Sequence, residues 1–451
     1  MLTNLGYTPL AVDEINLLKQ VIAQTLATEA KEIPDINFLT NEDIAKLTLI
    51  IPHLEEVATH FTDTLRDEDL IHPYVCLHNF YRRQGRYGIT EYWSKKGLDL
   101  AEQRLPVDHP DLAKSCNKLG VAYYFQRNYT EAESLYNRAI AITEKSLSPD
   151  HPDLAISLNN LALLYYLQEN YTEAESFYKR AIAIDEKSLA PDHPDLAIYL
   201  NNLASLYSDQ GNYTEAEPLL KKAIAIAEKS LPPDHCNLAI YLTSLATLYC
   251  SQGNYTEAEP FYKRAIAIAE TSLPPDHPDL ATYLHNLANL YSNQGNYTEA
   301  ESLYNRAIAI TEKSLSPDHP DLAISLNNLA LLYYLQENYT EAESFYKRAI
   351  AIVEKSLPPD HRNLAISLNN LASLYSDQGN YTEAELLYLR ALEIRVQKLG
   401  TEHPDTIESR ENLTQLWQEA INAGRAEELE GLYQHPFGQL FLREMEVETE
   451  N

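Results

Sequence analysis

Between His151 and Asp192 the apolar residues Leu154, Leu158, Leu161, Ala162 and Tyr165 recur at spacings of three and four, which lays one stripe along a helix. A polar break at Glu169-Asn170 follows, and a second stripe runs through Ala174, Phe177, Tyr178, Ala181 and Ile182. Pro152 suits the first position of the first helix, where its missing N–H costs nothing, and Asp153 favours that helix's positive end. The break reads Gly211-Asn212 one copy later, and both residue types tolerate the left-handed conformation of a helix end. Thr172 with Glu175 three residues on has the spacing of a capping box and predicts the start of the second helix. Pro191 blocks its continuation. The pattern therefore predicts two antiparallel helices joined by a short turn.

This unit recurs every 42 residues. His109, His151, His193, His235, His277, His319, His361 and His403 each lie in Asp-His-Pro-Asp or a close variant, and Asn-Tyr-Thr-Glu-Ala-Glu starts at Asn128, Asn170, Asn212, Asn254, Asn296, Asn338 and Asn380. The Thr/Glu pair returns at Thr130/Glu133, Thr214/Glu217, Thr256/Glu259, Thr298/Glu301, Thr340/Glu343 and Thr382/Glu385. A fixed period of this length predicts a stacked array, in which each repeat buries its apolar face only against its neighbours. Seven regular repeats span 108–401, and 66–107 is a worn copy in register: Leu77, Tyr81, Tyr87 and Trp93 sit 42 residues before Leu119, Tyr123, Tyr129 and Leu135. Residues 1–65 are expected to cap the stack with helices at Ala11–Ala30 and Asn41–Leu65, the second kinked by Pro52. Residues 402–451 are expected to hold a last first-type helix (Pro404–Ala423, broken by Gly424), short capping helices at Arg425–Tyr433 and Pro436–Arg443, and a frayed tail, Glu444–Asn451.

Leu158, Leu161, Ala162, Tyr165, Ala174, Tyr178 and Ala181 follow the order and spacing of tetratricopeptide repeats. The repeat length, the run Leu158-Asn-Asn-Leu-Ala162 with Tyr165, the Tyr-Thr-Glu-Ala-Glu segment and the His-Pro-Asp linker resemble the kinesin light chain subgroup of bacterial type, over roughly 108–415. The resemblance implies an all-α fold, a right-handed superhelical solenoid of antiparallel helix pairs. It also implies a non-catalytic scaffold that binds peptide or helical segments of partner proteins. Kinesin light chains carry a long heptad coiled coil before their repeats. No segment here matches it, so a role with a motor is not expected.

In that fold the first helix of each pair lines the concave face, and its second, fifth, ninth, twelfth and thirteenth places point into a groove. The fifth place holds Asn117, Asn159, Asn201, Thr243, His285, Asn327 and Asn369. Asparagine offers acceptor and donors together, and in the family asparagines at this place contact bound peptide. The five asparagines are therefore candidate binding residues, with bridging of adjacent helices as the competing role. The twelfth and thirteenth places supply Tyr124-Phe125, Tyr166-Leu167 and Tyr334-Leu335, apolar-aromatic patches suited to anchoring a ligand or to packing between repeats. No lysine occupies the fifth place, so a clamp for a peptide's terminal carboxylate is not expected. The second place is Ile156, Ile198, Ile240, Thr282, Ile324 and Ile366, with Lys114 alone basic, which disfavours acidic cargo.

Charge narrows the partners. The net charge is −31, spread through the repeats, which repels nucleic acid and favours neutral, apolar or basic protein segments. Cys76, Cys116, Cys236 and Cys250 lack Cys-x-x-Cys spacing and fit reduced thiols of a cytoplasmic protein. Met1–Leu18 does not read as a secretory signal, and no apolar run approaches the ~20 residues of a membrane helix. One histidine per layer makes a line, not a metal centre. The Asn-Tyr-Thr sequons have their threonine committed to the expected cap. No phosphate loop, nucleophile elbow or metalloprotease helix occurs, so no catalysis and no cofactor are expected. A second reading is a ligand-sensing array that regulates a separate signalling enzyme, and a third is self-assembly through the ends of the stack. Residues 128–184 and 296–352 are identical over 57 positions, a recent duplication or an adaptation to a repetitive ligand.

Overall fold

The computed structural model describes residues 12–33, 41–439 and 441–442, and among them it contains helices and turns but no strand. It opens with α1 (Val12–Glu32), α2 (Asn41–His60), α3 (His72–Arg83) and α4 (Tyr87–Arg104). Seven helix pairs follow: α5 and α6 (Pro110–Phe125, Tyr129–Ser146), α7 and α8 (Pro152–Leu167, Tyr171–Ser188), α9 and α10 (Pro194–Asp209, Tyr213–Ser230), and α11 and α12 (Cys236–Ser251, Tyr255–Ser272). The array goes on with α13 and α14 (Pro278–Asn293, Tyr297–Ser314), α15 and α16 (Pro320–Leu335, Tyr339–Ser356), and α17 and α18 (Arg362–Asp377, Tyr381–Leu399). It ends with α19 (Pro404–Asn422) and the short α20 (Glu430–Gln434). Residues 436–439 are also helical, whereas the tail 444–451 lies outside the described residues. The chain divides into two compact units, one through His277 and one from Pro278, a division that the 42-residue period does not announce.

The repeated histidines act at helix starts. His109, His151, His193, His235, His319, His361 and His403 each occupy the N-cap position, and each Nδ1 accepts from the backbone N–H two residues on. The imidazole thus takes the place of the usual serine or aspartate oxygen, and its proton must sit on Nε2. His435 repeats the device before residues 436–439, accepting from the Phe437 N–H at 3.2 Å.

The capping box does not form. The second helices start two residues earlier, at tyrosine, with asparagine at the N-cap and no side-chain cap bond. Thr172 is then already helical, and the glutamate three residues later is recruited by the next repeat. Tyr207 donates to Glu175 at 2.9 Å, Tyr249 to Glu217 at 3.0 Å, Tyr333 to Glu301 and Tyr375 to Glu343 at 2.8 Å each. These bonds pin the stacking register of successive pairs. The last rung replaces tyrosine by Trp417, whose Nε1 donates to Glu385 at 2.7 Å. Buried Glu385 also accepts from the backbone N–H groups of Gly431 and Leu432 at 2.8 Å, so one carboxylate holds the N-terminus of α20 against the stack. A Cβ on Gly431 would stand 2.9 Å from the Glu385 carboxylate carbon, which is why glycine is needed there.

Between the helices of each pair the chain passes through one left-handed residue. It is glycine at Gly211, Gly253, Gly295 and Gly379, but Arg127, Glu169 and Glu337 hold φ of 62°, 60° and 60°. The adjoining asparagines, also expected to serve there, instead stand at the N-cap with negative φ.

Candidate functional site

Within each unit the first helices of successive pairs touch directly: α5 meets α7, α7 meets α9 and α9 meets α11, as α13 meets α15 and α15 meets α17. The second helices make no comparable contact with one another. First helices packed closer than second ones curve each array inward on the first-helix side, so that side carries the candidate groove.

Asn117, Asn159, Asn201, Asn327 and Asn369 lie on this side, all buried. Asn117 Nδ2 donates to Ser157 at 2.7 Å. Asn159 accepts from Asn202 at 2.9 Å, Asn327 from Asn370 at 3.3 Å and Asn369 from Asn412 at 3.3 Å. The ladder thus uses two adjacent asparagines per repeat, the sixth-place one reaching back to the fifth-place one before it. His285 takes a rung in the second unit: Asn328 donates to its Nε2 at 3.0 Å, and its Nδ1 faces Ser325 at 3.4 Å. Burial holds that imidazole neutral, lowering its pKa to about 4. The ladder breaks in the first unit, where Ser244 replaces the sixth-place asparagine and bonds its own helix. Asn117 Oδ1, Asn201 Oδ1 and Thr243 Oγ1 are left buried with no hydrogen-bond partner among the described residues.

The aromatic places are partly exposed. Phe125 stacks on Tyr87 with centroids 4.7 Å apart and lies under the Arg82 guanidinium, and Tyr124 leans on Tyr129. Tyr166 donates to Asp209 at 2.5 Å, and Tyr334 to Asp377 at 2.6 Å. Burial first, and these carboxylates second, push both phenol pKa values up, so the rings stay neutral. Leu167 and Leu335 beside them are 41% and 47% exposed.

The ninth place carries a signal that the periodicity alone does not reveal. Thr247 bonds the hydroxyl of Tyr262 at 2.9 Å, Ser373 that of Tyr388 at 2.8 Å, and Asn289 accepts from Tyr304. A polar ninth residue therefore satisfies the buried tyrosine of the paired helix. In the duplicated repeats the ninth residue is Leu163 or Leu331, and Tyr178 and Tyr346 have buried hydroxyls without a partner. Leu331 is 37% exposed instead. Leaving a buried hydroxyl unpaired costs about 1–3 kcal/mol, so leucine at the ninth place lowers the stability of these repeats. In the sequence, leucine stands at this place where four other copies have Thr, Asn or Ser and the first has Val121.

The first unit also touches itself across its length: buried Arg83 at the end of α3 donates to the Ser272 carbonyl at the end of α12, at 3.2 Å. Basic residues of the repeats are largely tied to acids of the preceding repeat, as in Arg180–Glu144 at 2.7 Å and Lys229–Asp192 at 2.6 Å. Excess carboxylate thus dominates the free surface charge. No group of His, Cys, Asp and Glu among the described residues is arranged to hold a metal ion, and no described helix is long and apolar enough to cross a membrane.

Comparison with known proteins agrees with this geometry. Tetratricopeptide repeat models match residues 69–145, 111–187, 153–229, 236–313 and 279–355, and a second such model matches 364–405. No curated protein sequence matches the chain. Among solved structures, nearly identical repeats of a Podosopora anserina kinesin light chain share 29% identity over 46% of this chain and 98% of theirs, with a TM-score of 0.40. BtubC of P. vanneervenii shares 25% over 52% of this chain and 92% of its own, with a TM-score of 0.42. A Rap protein complexed with competence and sporulation factor is 16% identical, covers 79% of this chain and 99% of its own, and has a TM-score of 0.55, which is a likeness of fold. With models matching most of its length and helix pairs stacked through the tyrosine–glutamate rungs, the chain belongs to the tetratricopeptide repeat family.

Proposed function

We propose that this chain is a non-catalytic scaffold whose inner faces hold peptide or helical segments of partner proteins. In the first unit Tyr124, Phe125, Tyr166 and Leu167 form the anchoring patch, with Leu163 beside them. In the second unit Tyr334 and Leu335 do so, with Leu331. Asn117, Asn159, Asn201, Asn327 and Asn369 form the polar floor beneath these patches. The carrying observation is the pair Leu163 and Leu331, which occupy the inner face although a polar residue there would satisfy Tyr178 and Tyr346. Carboxylate excess selects neutral, apolar or basic segments.

The test is an affinity capture from native lysate read by mass spectrometry. Wild type is compared with Leu163→Ser, Leu167→Ser, Leu331→Ser and Leu335→Ser combined, after circular dichroism shows the variant to be folded. Partners lost by the variant alone support the groove. An unchanged partner set overturns it and moves attention to the outer face.

The second reading, a sensor that regulates a separate signalling enzyme, is favoured by the Arg83–Ser272 contact. A ligand entering the first unit would have to displace or tighten that closure. Solution X-ray scattering of wild type and Arg83→Ala separates the readings: a sensor changes dimensions with the variant or with ligand, and a rigid scaffold does not.

A further inference from the structure

One place in the second helix, near its C-terminal end, is buried in all seven pairs and holds Thr143, Asp185, Ala227, Ala269, Thr311, Val353 and Arg395. The two threonines donate to the carbonyl one turn back, Ala139 at 2.8 Å and Ala307 at 2.9 Å. Arg395 reaches the Asp405 carbonyl, Glu408 and Ser409. Asp185 is 1% exposed, and neither carboxylate oxygen has a partner.

Its surroundings are apolar. The next residue back, Ile184, belongs with Ala181 to a cluster built from Leu154, Ala155 and Leu158 of α7 and Tyr199 of α9. Packed on it from α9 is one further charge, Asp195, which is of like sign. The His193 imidazole, whose Nδ1 caps α9, lies 3.8 Å from the Asp195 carboxylate. On α8 itself Glu186 pairs with Lys222, and Lys187 with Asp150. Among the described residues no cation is paired with Asp185, and α7 supplies the apolar wall.

We propose that Asp185 is a proton-operated joint between α8 and α9, closed when its carboxyl is neutral and loosened when it ionises. In the neutral form the carboxyl O–H can donate to the Ala181 carbonyl, as the threonines do at the same place. Deprotonation removes that donor and puts a second negative charge beside Asp195 in an apolar setting, which disfavours the packed state. Burial foremost, and Asp195 after it, raises the carboxyl pKa to about 7. A carboxyl raised in the folded state binds its proton more tightly there than in the opened state. Stability is therefore fully present below about pH 4, falls as pH rises from 4 to 7, and is level above. The joint works between about pH 4 and 7, and α9 carries Asn201 and Asp209 of the inner face, so the proton acts where the groove is built.

The duplication supplies the control. Residues 128–184 and 296–352 are identical, and the first difference after them is Asp185 against Val353. The experiment is amide hydrogen exchange of the full chain at pH 5.5 and pH 8.0, corrected for intrinsic rates, on wild type, Asp185→Val, Asp185→Asn and Val353→Asp. The joint predicts that opening of α8 and the start of α9 rises on the order of tenfold or more in wild type between the two pH values. It also predicts no such rise in Asp185→Val or Asp185→Asn, and a new pH-dependent opening of α16 in Val353→Asp. Parallel pH profiles in wild type and Asp185→Val overturn the proposal. If Val353→Asp unfolds the second unit, the two Asp185 variants still decide the question.

Discussion

Residues 128–184 in the first unit and 296–352 in the second are the same 57 residues set among different neighbours. Contacts toward the following repeat recur in both: Tyr166 and Tyr334 each reach an aspartate there, Asn159 and Asn327 each accept from its sixth-place asparagine, and Tyr178 and Tyr346 each lack a partner. What differs comes from the preceding repeat and from the residues after the segment. Ser157 accepts from Asn117 at 2.7 Å, whereas Ser325 faces His285 at 3.4 Å. The segment is followed by Asp185 and Tyr199 in one unit and by Val353 and Ser367 in the other. A repeat thus carries its own helices, caps and anchoring face, and its polar chemistry is set by the residues of the repeats beside it.

The largest expected effect separates the end of the array from its interior. Glu175 and Glu343 are duplicates of one residue and accept one tyrosine hydroxyl each at 2.9 and 2.8 Å. Glu385, at the same place, accepts one indole and two backbone N–H groups in a buried setting. Removing it leaves three donors unpaired, at about 1–3 kcal/mol each before relaxation. Glu385→Ala should therefore destabilise the second unit by about 3 kcal/mol or more. Glu175→Ala and Glu343→Ala should each cost under about 1 kcal/mol, and equally. The chain has one tryptophan in each unit, Trp93 and Trp417, so urea unfolding by fluorescence in Trp93→Phe and Trp417→Phe backgrounds reads the units separately. Unequal costs for the two duplicate glutamates would break the comparison.

A smaller effect turns on acid. His285 is neutral in the fold, with its pKa lowered by burial from 6.5 to about 4. A histidine whose folded pKa is depressed must charge on opening. Its contribution is present above pH 6.5 and is lost as pH falls toward 4. The second unit should lose about 2 kcal/mol from this source between pH 7 and pH 4.5, and His285→Asn should abolish that loss. His235, lowered to about 4 by its own burial, gives the first unit a separate acid step. The variant should flatten only the Trp417 curve, and a change in both curves would show that the histidine does not act locally.

The helices, their pairing and the array were legible because spacings of three and four, the histidine-proline starts and the 42-residue step all point to one architecture. The capping box is not legible from spacing, because the threonine–glutamate separation is identical whether the glutamate reaches back to its own helix start or across to the next repeat, and only the stack brings Tyr207 or Trp417 to it. The histidines were recognised as structural, yet their N-cap role depends on a side-chain nitrogen reaching the N–H two residues on, a geometry that composition does not express. The 42-residue period exposes the fifth-place asparagines, but Asn159, Asn327 and Asn369 pair with sixth-place asparagines 43 residues on, a step that the period does not mark. Asp185 stood in the sequence as one acid among many, and only burial separates it from Glu186 beside it.

Next in size is the ninth place. Leu163→Ser and Leu331→Ser should each place a hydroxyl where Ser373 satisfies Tyr388. Each should stabilise its unit by about 1 kcal/mol, measured as a raised urea midpoint at unchanged slope. Partner capture should fall in the same proteins, since the apolar surface is gone. Stabilisation with undiminished capture would leave the leucines without a role at the groove.

The smallest effect lies at the turns. Glu169 and Glu337 hold φ of 60° where four other repeats place glycine. A left-handed conformation costs an ordinary residue roughly 1–2 kcal/mol, partly offset because glycine has more unfolded-state freedom to lose. Glu169→Gly and Glu337→Gly should therefore each stabilise by about 0.5 kcal/mol, checked by the same urea curves. Both residues lie inside the identical segments, so the two gains should match. If only one turn gains, its strain is imposed by the neighbouring repeats, and the boundary between what a repeat carries and what its neighbours supply would have to be drawn inside the segment instead of at its ends.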